Sequence, residues 1–141
     1  MKVAALIPAF NEEDRIGQTL AAVAALEGIH EILVIDDGST DHTRSAAQCK
    51  ARVLRLDRNQ GKGAALNHGL RNIVADVYLF LDADLGSTAA LAYELVRPIL
   101  RDQADMTIAR FDTEQSAQQG KMGFGTVRKI ASFGVRCLTG R

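Results

Sequence analysis

Residues 78–87 read YLFLDADLGS. Four apolar residues run directly into Asp82-Ala83-Asp84, after which the chain turns polar and flexible at Gly86 and Ser87. A short, unbroken apolar run suits a strand covered on both faces, the usual situation in a parallel sheet. Two carboxylates one residue apart disfavour each other's ionisation unless a cation or a hydrogen-bond donor offsets them. A positive partner is therefore expected at the mouth of this strand.

Working outward, the same grammar repeats. KVAALIPAF (2–10) reads as a buried strand ending near Pro8, and EILVID (31–36) as a second. RVLRL (52–56) alternates as an edge strand does, and VYLFLD (77–82) is the fourth. Between them, Ile16, Leu20, Val23 and Leu26 recur at helical spacing over 14–26. DDGSTD (36–41) is a turn whose Ser39 or Thr40 is placed to cap a helix through Gln48. NQGKGAALNHGL (59–70) is a glycine-punctuated loop leading into a third helix. A fourth helix is expected over 88–100, with a short strand over 106–109.

Strands alternating with helices imply parallel crossovers, hence an α/β, doubly wound, mainly parallel sheet with helices on both faces. In such sheets the ligand crevice lies outside the carboxyl ends of the strands. The first strand ends at Pro8-Ala9-Phe10-Asn11-Glu12, the second at Asp36-Asp37 and the fourth at Asp82-Ala83-Asp84. Every unusual cluster thus falls on one rim, as one site would.

Length and charge set the frame. At 141 residues the chain is long enough for one domain with a real core. Its net charge is zero but unevenly spread: all acids lie at or before Glu114, whereas Lys121, Arg128, Lys129, Arg136 and Arg141 follow unopposed. Cys49 and Cys137 make no disulfide framework or zinc spacing, which fits a reduced, cytoplasmic setting. No apolar run approaches the roughly 20 residues of a membrane span, and Met1-Lys2 leads into a strand rather than a signal peptide. No nucleic-acid partner is expected.

The rim excludes several ligands. A dinucleotide site needs G-x-G-x-x-G after the first strand, with phosphate on a helix N-terminus. That position reads PAFNEED, whose acids suit the helix dipole and repel phosphate. Gly61-Lys62 is not a phosphate-binding P-loop, because Leu56 stands where its first glycine belongs. LDADLGST is also a poor match to the Asp-x-Asp-x-Thr of haloacid-dehalogenase phosphatases: position 86 is Gly, and three strands precede Asp82. What two strand-end carboxylates do suit is a hard divalent cation, Mg²⁺ or Mn²⁺. Such an ion converts an acidic crevice into a diphosphate site.

IPAFNEEDRI, VIDDGSTDHT, NQGKGAALNHGL and FLDADL, in this order and spacing, resemble the nucleotide-sugar-dependent glycosyltransferases of family 2, which have the Rossmann-like GT-A fold. The resemblance spans about residues 2–110 and is nearest to polyprenyl-phosphate sugar transferases and glucosyl-3-phosphoglycerate synthases. It implies that Pro8, Ala9 and Phe10 line the nucleobase pocket, with Glu12 on ribose or base. Asp37 would accept from a base N–H, supported by Asp36, and Lys62 would lie near base or phosphates. Asp82, Ala83 and Asp84 form the Asp-x-Asp motif, the two aspartates serving as metal ligands and catalytic residues. The implied activity is metal-dependent, inverting transfer from a UDP- or GDP-sugar to an acceptor hydroxyl or phosphate, such as a polyprenyl phosphate or a small phosphorylated acid.

There are departures. A glutamine that serves the metal after Asp-Ala-Asp-Leu in some lipid-phosphate relatives is here Gly86. The family usually continues well past this length, and its second half supplies the acceptor pocket and the base. The chain therefore reads as an N-terminal piece: a nucleotide-sugar-binding unit over 1–110, then the start of an acceptor-side region over 111–141. Neither Asp112 nor Glu114 is expected to be the base. The 111–141 segment is expected to hold a mobile loop and a basic amphipathic helix presenting Phe124, Val127, Ala131, Val135 and Leu138. Packing on the remaining half or on another subunit is favoured over lying on a membrane, although both a homo-oligomer and a peripheral membrane contact stay open. Two other readings also stay open, a non-catalytic nucleotide-binding fragment and a sugar nucleotidyltransferase. The second lacks its glycine-rich loop, since PAFNEE stands in its place.

Overall fold

The computed structural model describes residues 1–109. The apolar runs form strands β1 (Val3–Ala9), β2 (Glu31–Asp36), β3 (Arg52–Arg55) and β4 (Val77–Phe80). They alternate with helices α1 (Ile16–Ala24), α2 (Thr43–Gln48), α3 (Lys62–Arg71) and α4 (Tyr93–Leu100). The sheet order is β3-β2-β1-β4 and every pairing is parallel. β3 is thus an edge, as its alternation predicts, and all carboxyl ends face one rim.

Alternation along β1 divides the core. Val3, Ala5, Ile7 and Ala9 face α1, α2 and α4, meeting Ile16, Leu20, Val23, Val96 and Ile99. Ala4 and Leu6 face the other way and, with Leu33 and Ile35, pack against Ala65 and Leu66 of α3. α3 lies close to the sheet because Gly69 has no side chain; a Cβ there would sit 2.8 Å from Ile35 Cδ1. Truncating a fully buried leucine such as Leu6 in a layer this tight costs about 2–5 kcal/mol.

Three expectations are corrected. Neither Ser39 nor Thr40 caps α2, whose N-cap position is His42 with no side-chain cap. Ser39 Oγ instead accepts from Asn11 N at 3.0 Å. Residues 88–100 are not one helix: a 3₁₀ segment, Gly86–Ala92, precedes α4, and Pro98 lies inside α4. Thr88 Oγ1 donates to Leu85 O at 2.6 Å within the tight first turn. Residues 106–109 form no strand; Thr107 Oγ1 donates to Leu95 O on α4 at 2.6 Å, which ties the segment to a helix rather than a ladder. The loop and amphipathic helix expected over 111–141 lie outside the described residues. No described helix is long and apolar enough to cross a membrane.

Candidate functional site

At the carboxyl rim the chain leaves β1 through Asn11, held in the left-handed region at φ 54°. Asn11 and its neighbours then interlock with the turn after β2. Asn11 Oδ1 accepts from Thr40 N at 2.9 Å, and Thr43 Oγ1 accepts from Glu12 N at 2.7 Å. Asp41 Oδ2 accepts from Glu13 N at 3.2 Å, and Glu13 Oε2 accepts from His42 N at 2.8 Å. Glu12 O in turn accepts from Ile16 N at 2.9 Å, opening α1. Burial works against the Asp41 carboxylate, but hydrogen bonds from Thr43 and from the Glu13 backbone outweigh it and lower its pKa.

The turn after β2 also fixes the loop after β3. Asp37 is buried, and its two carboxylate oxygens accept from Gln60 N and Gly61 N, each at 2.8 Å. Gly38, at φ 74°, lets this loop approach: a Cβ would stand 2.6 Å from the Arg58 carbonyl carbon. The anchored loop delivers Lys62, the first residue of α3, whose ammonium donates to Asp82 Oδ1.

A third tie holds the aspartates. Thr19, fully buried on α1, donates through Oγ1 to Ala83 O at 2.7 Å and accepts from Gly86 N at 2.8 Å. The loop 82–86 is thereby pinned at both ends. Asp84 Oδ2 lies 3.6 Å from Arg15 Nη1, and both side chains are about half exposed.

These ties surround a cleft of about 260 Å³ lined by Pro8, Ala9, Phe10, Glu12, Asp37, Lys62, Asp82, Ala83 and Asp84. All nine candidate residues are brought together. Phe10 is 42% exposed beside buried Ala9, so its ring faces the cleft rather than filling the core. Asp36 is not among the lining residues; it is fully buried, accepting from Ser39 N and Arg55 Nη1, each at 2.9 Å. Asn59 and Gly61 also line the cleft and were not foreseen. Thr19 was missed as well, although a polar residue one position before Leu20, on the apolar face of α1, was a readable signal.

The cleft is an acidic field. Burial raises the pKa of Glu12, and the negative charges of Asp84, Asp41 and Asp82 add to this against the opposing pull of Arg15. No three His, Cys, Asp or Glu side chains converge on a metal position among the described residues. Asp82 and Asp84 offer hard oxygen donors, which fits a Mg²⁺-like ion held by one or two carboxylates and completed by substrate phosphates and water.

The sequence profile of glycosyl transferase family 2 matches residues 4–124. The chain belongs to this family. It is 31% identical over 129 residues to an undecaprenyl-phosphate 4-deoxy-4-formamido-L-arabinose transferase of Edwardsiella ictaluri, covering 77% of this chain and 40% of that one. It is 30% identical over 115 residues to the dolichol-phosphate mannosyltransferase of Pyrococcus furiosus, covering 77% and 32%. Among solved structures it resembles glucosyl-3-phosphoglycerate synthase of Mycobacterium tuberculosis in complex with Mn²⁺, UDP-glucose and phosphoglyceric acid. That match has a TM-score of 0.66 at 30% identity and covers 74% of this chain and 42% of that one. The chain therefore spans less than half the length of these three relatives. The parallel sheet flanked by helices is the GT-A arrangement of this family.

Proposed function

We propose that this chain is the donor half of a metal-dependent glycosyltransferase, binding a nucleoside diphosphate sugar in the cleft at the carboxyl ends of β1, β2 and β4. The observation that carries this reading is the convergence of Phe10, Asp37, Lys62, Asp82 and Asp84 on one cleft, delivered by separate loops. Phe10 gives the base an exposed aromatic surface, and Asp37 retains lone pairs for a base N–H after accepting two backbone bonds. A uridine nucleotide is the favoured donor, in line with the UDP-glucose complex of the synthase.

Asp82 and Asp84 would hold Mg²⁺ or Mn²⁺. When bound, the ion supplies electrostatic stabilisation of the departing nucleoside diphosphate. Lys62 adds a second positive charge on the same side of the scissile bond. Displacement by an acceptor oxygen from the opposite face inverts the anomeric centre; a hydroxyl acceptor would pass its proton to a general base other than Asp112 and Glu114, whereas an acceptor phosphate is already ionised. The acceptor is a polyprenyl phosphate or a small phosphorylated acid, the two kinds that the relatives' names carry. Residues 1–110 form the donor unit in this reading, and 111–141 begin the acceptor side.

A second reading is a unit that binds nucleotide without transferring sugar, since the residues gathered at the cleft are donor-side groups and no acceptor base is identified among the described residues. Titration calorimetry with UDP- and GDP-sugars, with and without Mn²⁺, tests the donor site. Mn²⁺-dependent binding of a UDP-sugar is expected, and no binding in either condition overturns the proposal. Sugar transfer by the 141-residue chain with a phosphorylated acceptor, lost in Asp84→Ala, would exclude the second reading.

A further inference from the structure

Both aspartates of the cleft already have cations beside them. Lys62 reaches Asp82 from the start of α3, and Arg15 reaches Asp84 from the opposite side, at the N-cap of α1. The Lys62 contact is the more constrained. Its side chain is 31% exposed, against 59% for Arg15, and the preceding Gly61 is anchored on Asp37. Lys62 therefore offsets Asp82 where a metal ligand is required. A lysine ammonium and a divalent ion beside the same carboxylate repel each other and compete for its lone pairs, so each weakens the binding of the other.

We propose that Lys62 is an exchangeable counter-ion: it holds Asp82 in the free protein, yields that carboxylate to the divalent ion, and passes its ammonium to the donor's diphosphate. This rests on the donor-site reading above and adds a consequence that reading lacks. Metal and nucleotide each favour the arrangement with Lys62 off Asp82, so each tightens the other through Lys62, and the coupling is reciprocal. Exchange needs little movement of the backbone. Four rotatable bonds let the ammonium leave Asp82 while Gly61 stays clamped by Asp37. The same exchange accounts for how an acidic cleft folds before any ion arrives, since a resident cation lowers the repulsion between Asp82 and Asp84.

The exchange makes Lys62 an opponent of the metal in the free protein and an ally of the nucleotide in the complex, and these opposite signs are testable on the 141-residue chain. Mn²⁺ affinity is read by electron paramagnetic resonance of the free ion, without nucleotide and at saturating UDP, for wild type, Lys62→Met, Lys62→Arg and Arg52→Met. Arg52 pairs with Glu31 at the far end of the sheet and controls for the loss of one positive charge. Lys62→Met is expected to bind Mn²⁺ about tenfold more tightly than wild type without nucleotide, and UDP in Mn²⁺ about tenfold more weakly, within the usual span of coupling between sites. Lys62→Arg should keep the nucleotide-free Mn²⁺ affinity near wild type, and Arg52→Met should change neither. Unchanged or weaker nucleotide-free Mn²⁺ binding by Lys62→Met, with wild type still binding UDP in Mn²⁺, overturns the exchange alone. Wild type that binds no UDP in Mn²⁺ overturns the donor site with it.

Discussion

At the amino end of the sheet, Glu31 lies between Lys2 Nζ at 2.8 Å and Arg52 Nη1 at 3.1 Å. The hydrogen bond from Lys2, reinforced by Arg52, outweighs burial and holds its carboxyl below the usual glutamate range. At the carboxyl end, Glu12 is pushed the other way by burial and by Asp84. Each end has a cleft, and the amino-end one is the larger, at about 460 Å³. There His30 and Lys50 are engaged with the protein itself: His30 Nδ1 accepts from Val3 N at 3.1 Å, and Lys50 Nζ donates to Gly17 O at 3.4 Å. At the amino end the two cations outweigh burial at Glu31, whereas at the carboxyl end Glu12 lies in the like charge of Asp84, Asp41 and Asp82, opposed by Arg15. On the donor-site reading, an excess of like charge on tightly positioned loops marks the site, and size does not.

The sharpest way to break this contrast is to remove an acid from the carboxyl end. Asp84→Ala is expected to lower nucleotide binding in Mn²⁺ by about 100-fold or more, above what loss of an outer-shell partner costs. Its stability should stay within about 0.5 kcal/mol of wild type, as for other surface substitutions. Calorimetry and urea melts on the same sample check both halves. An Asp84→Ala protein that binds UDP normally in Mn²⁺ would remove the distinction between the two ends.

Thr19 tests whether the aspartate loop is positioned as well as charged. Thr19→Val leaves Ala83 O and Gly86 N without their partner in a buried place, at a cost of about 1–3 kcal/mol. UDP affinity in Mn²⁺ should also fall, and Thr19→Ser, which keeps the oxygen, should restore most of it. A purely structural role would lower the melting temperature of Thr19→Val and leave the affinity of the folded fraction intact.

The strands and the rim were legible because they rest on local patterns: apolar runs of strand length, and acids or prolines at their ends. Pro8, Asp37, Lys62 and Asp82 therefore meet where parallel topology requires. The errors came from long-range competition. Ser39 has the chemistry of a cap, yet Asn11 N, 28 residues away in sequence, takes its hydroxyl. The segment 106–109 has a strand-like composition, but Thr107 finds an acceptor on α4. Asn59 and Gly61 enter the cleft only because Asp37 draws their loop inward and Gly38 leaves it room. No periodicity along the chain encodes such an approach.

The smallest expected effects sharpen the contrast most, because their signs are opposite. Glu31 has a lowered pKa in the folded chain. Its contribution is present above the unfolded value and is lost as pH falls through the lowered folded one. Glu31→Gln should thus be less stable than wild type near neutrality, by up to about 1 kcal/mol as for exposed ion pairs, and the gap should close on acidification. Glu12 has a raised pKa, so folding disfavours its charged form. That penalty is absent below the unfolded value and grows as pH rises through the raised folded one. Glu12→Gln should therefore be slightly more stable than wild type at neutral pH, by up to about 0.5 kcal/mol, with the gain vanishing in acid and UDP binding weakened. Melting temperatures of both variants between pH 3 and 8, read as differences from wild type, decide this; a neutral-pH loss in Glu12→Gln would mean that the carboxyl end is held together by the very acids assigned to its ligand.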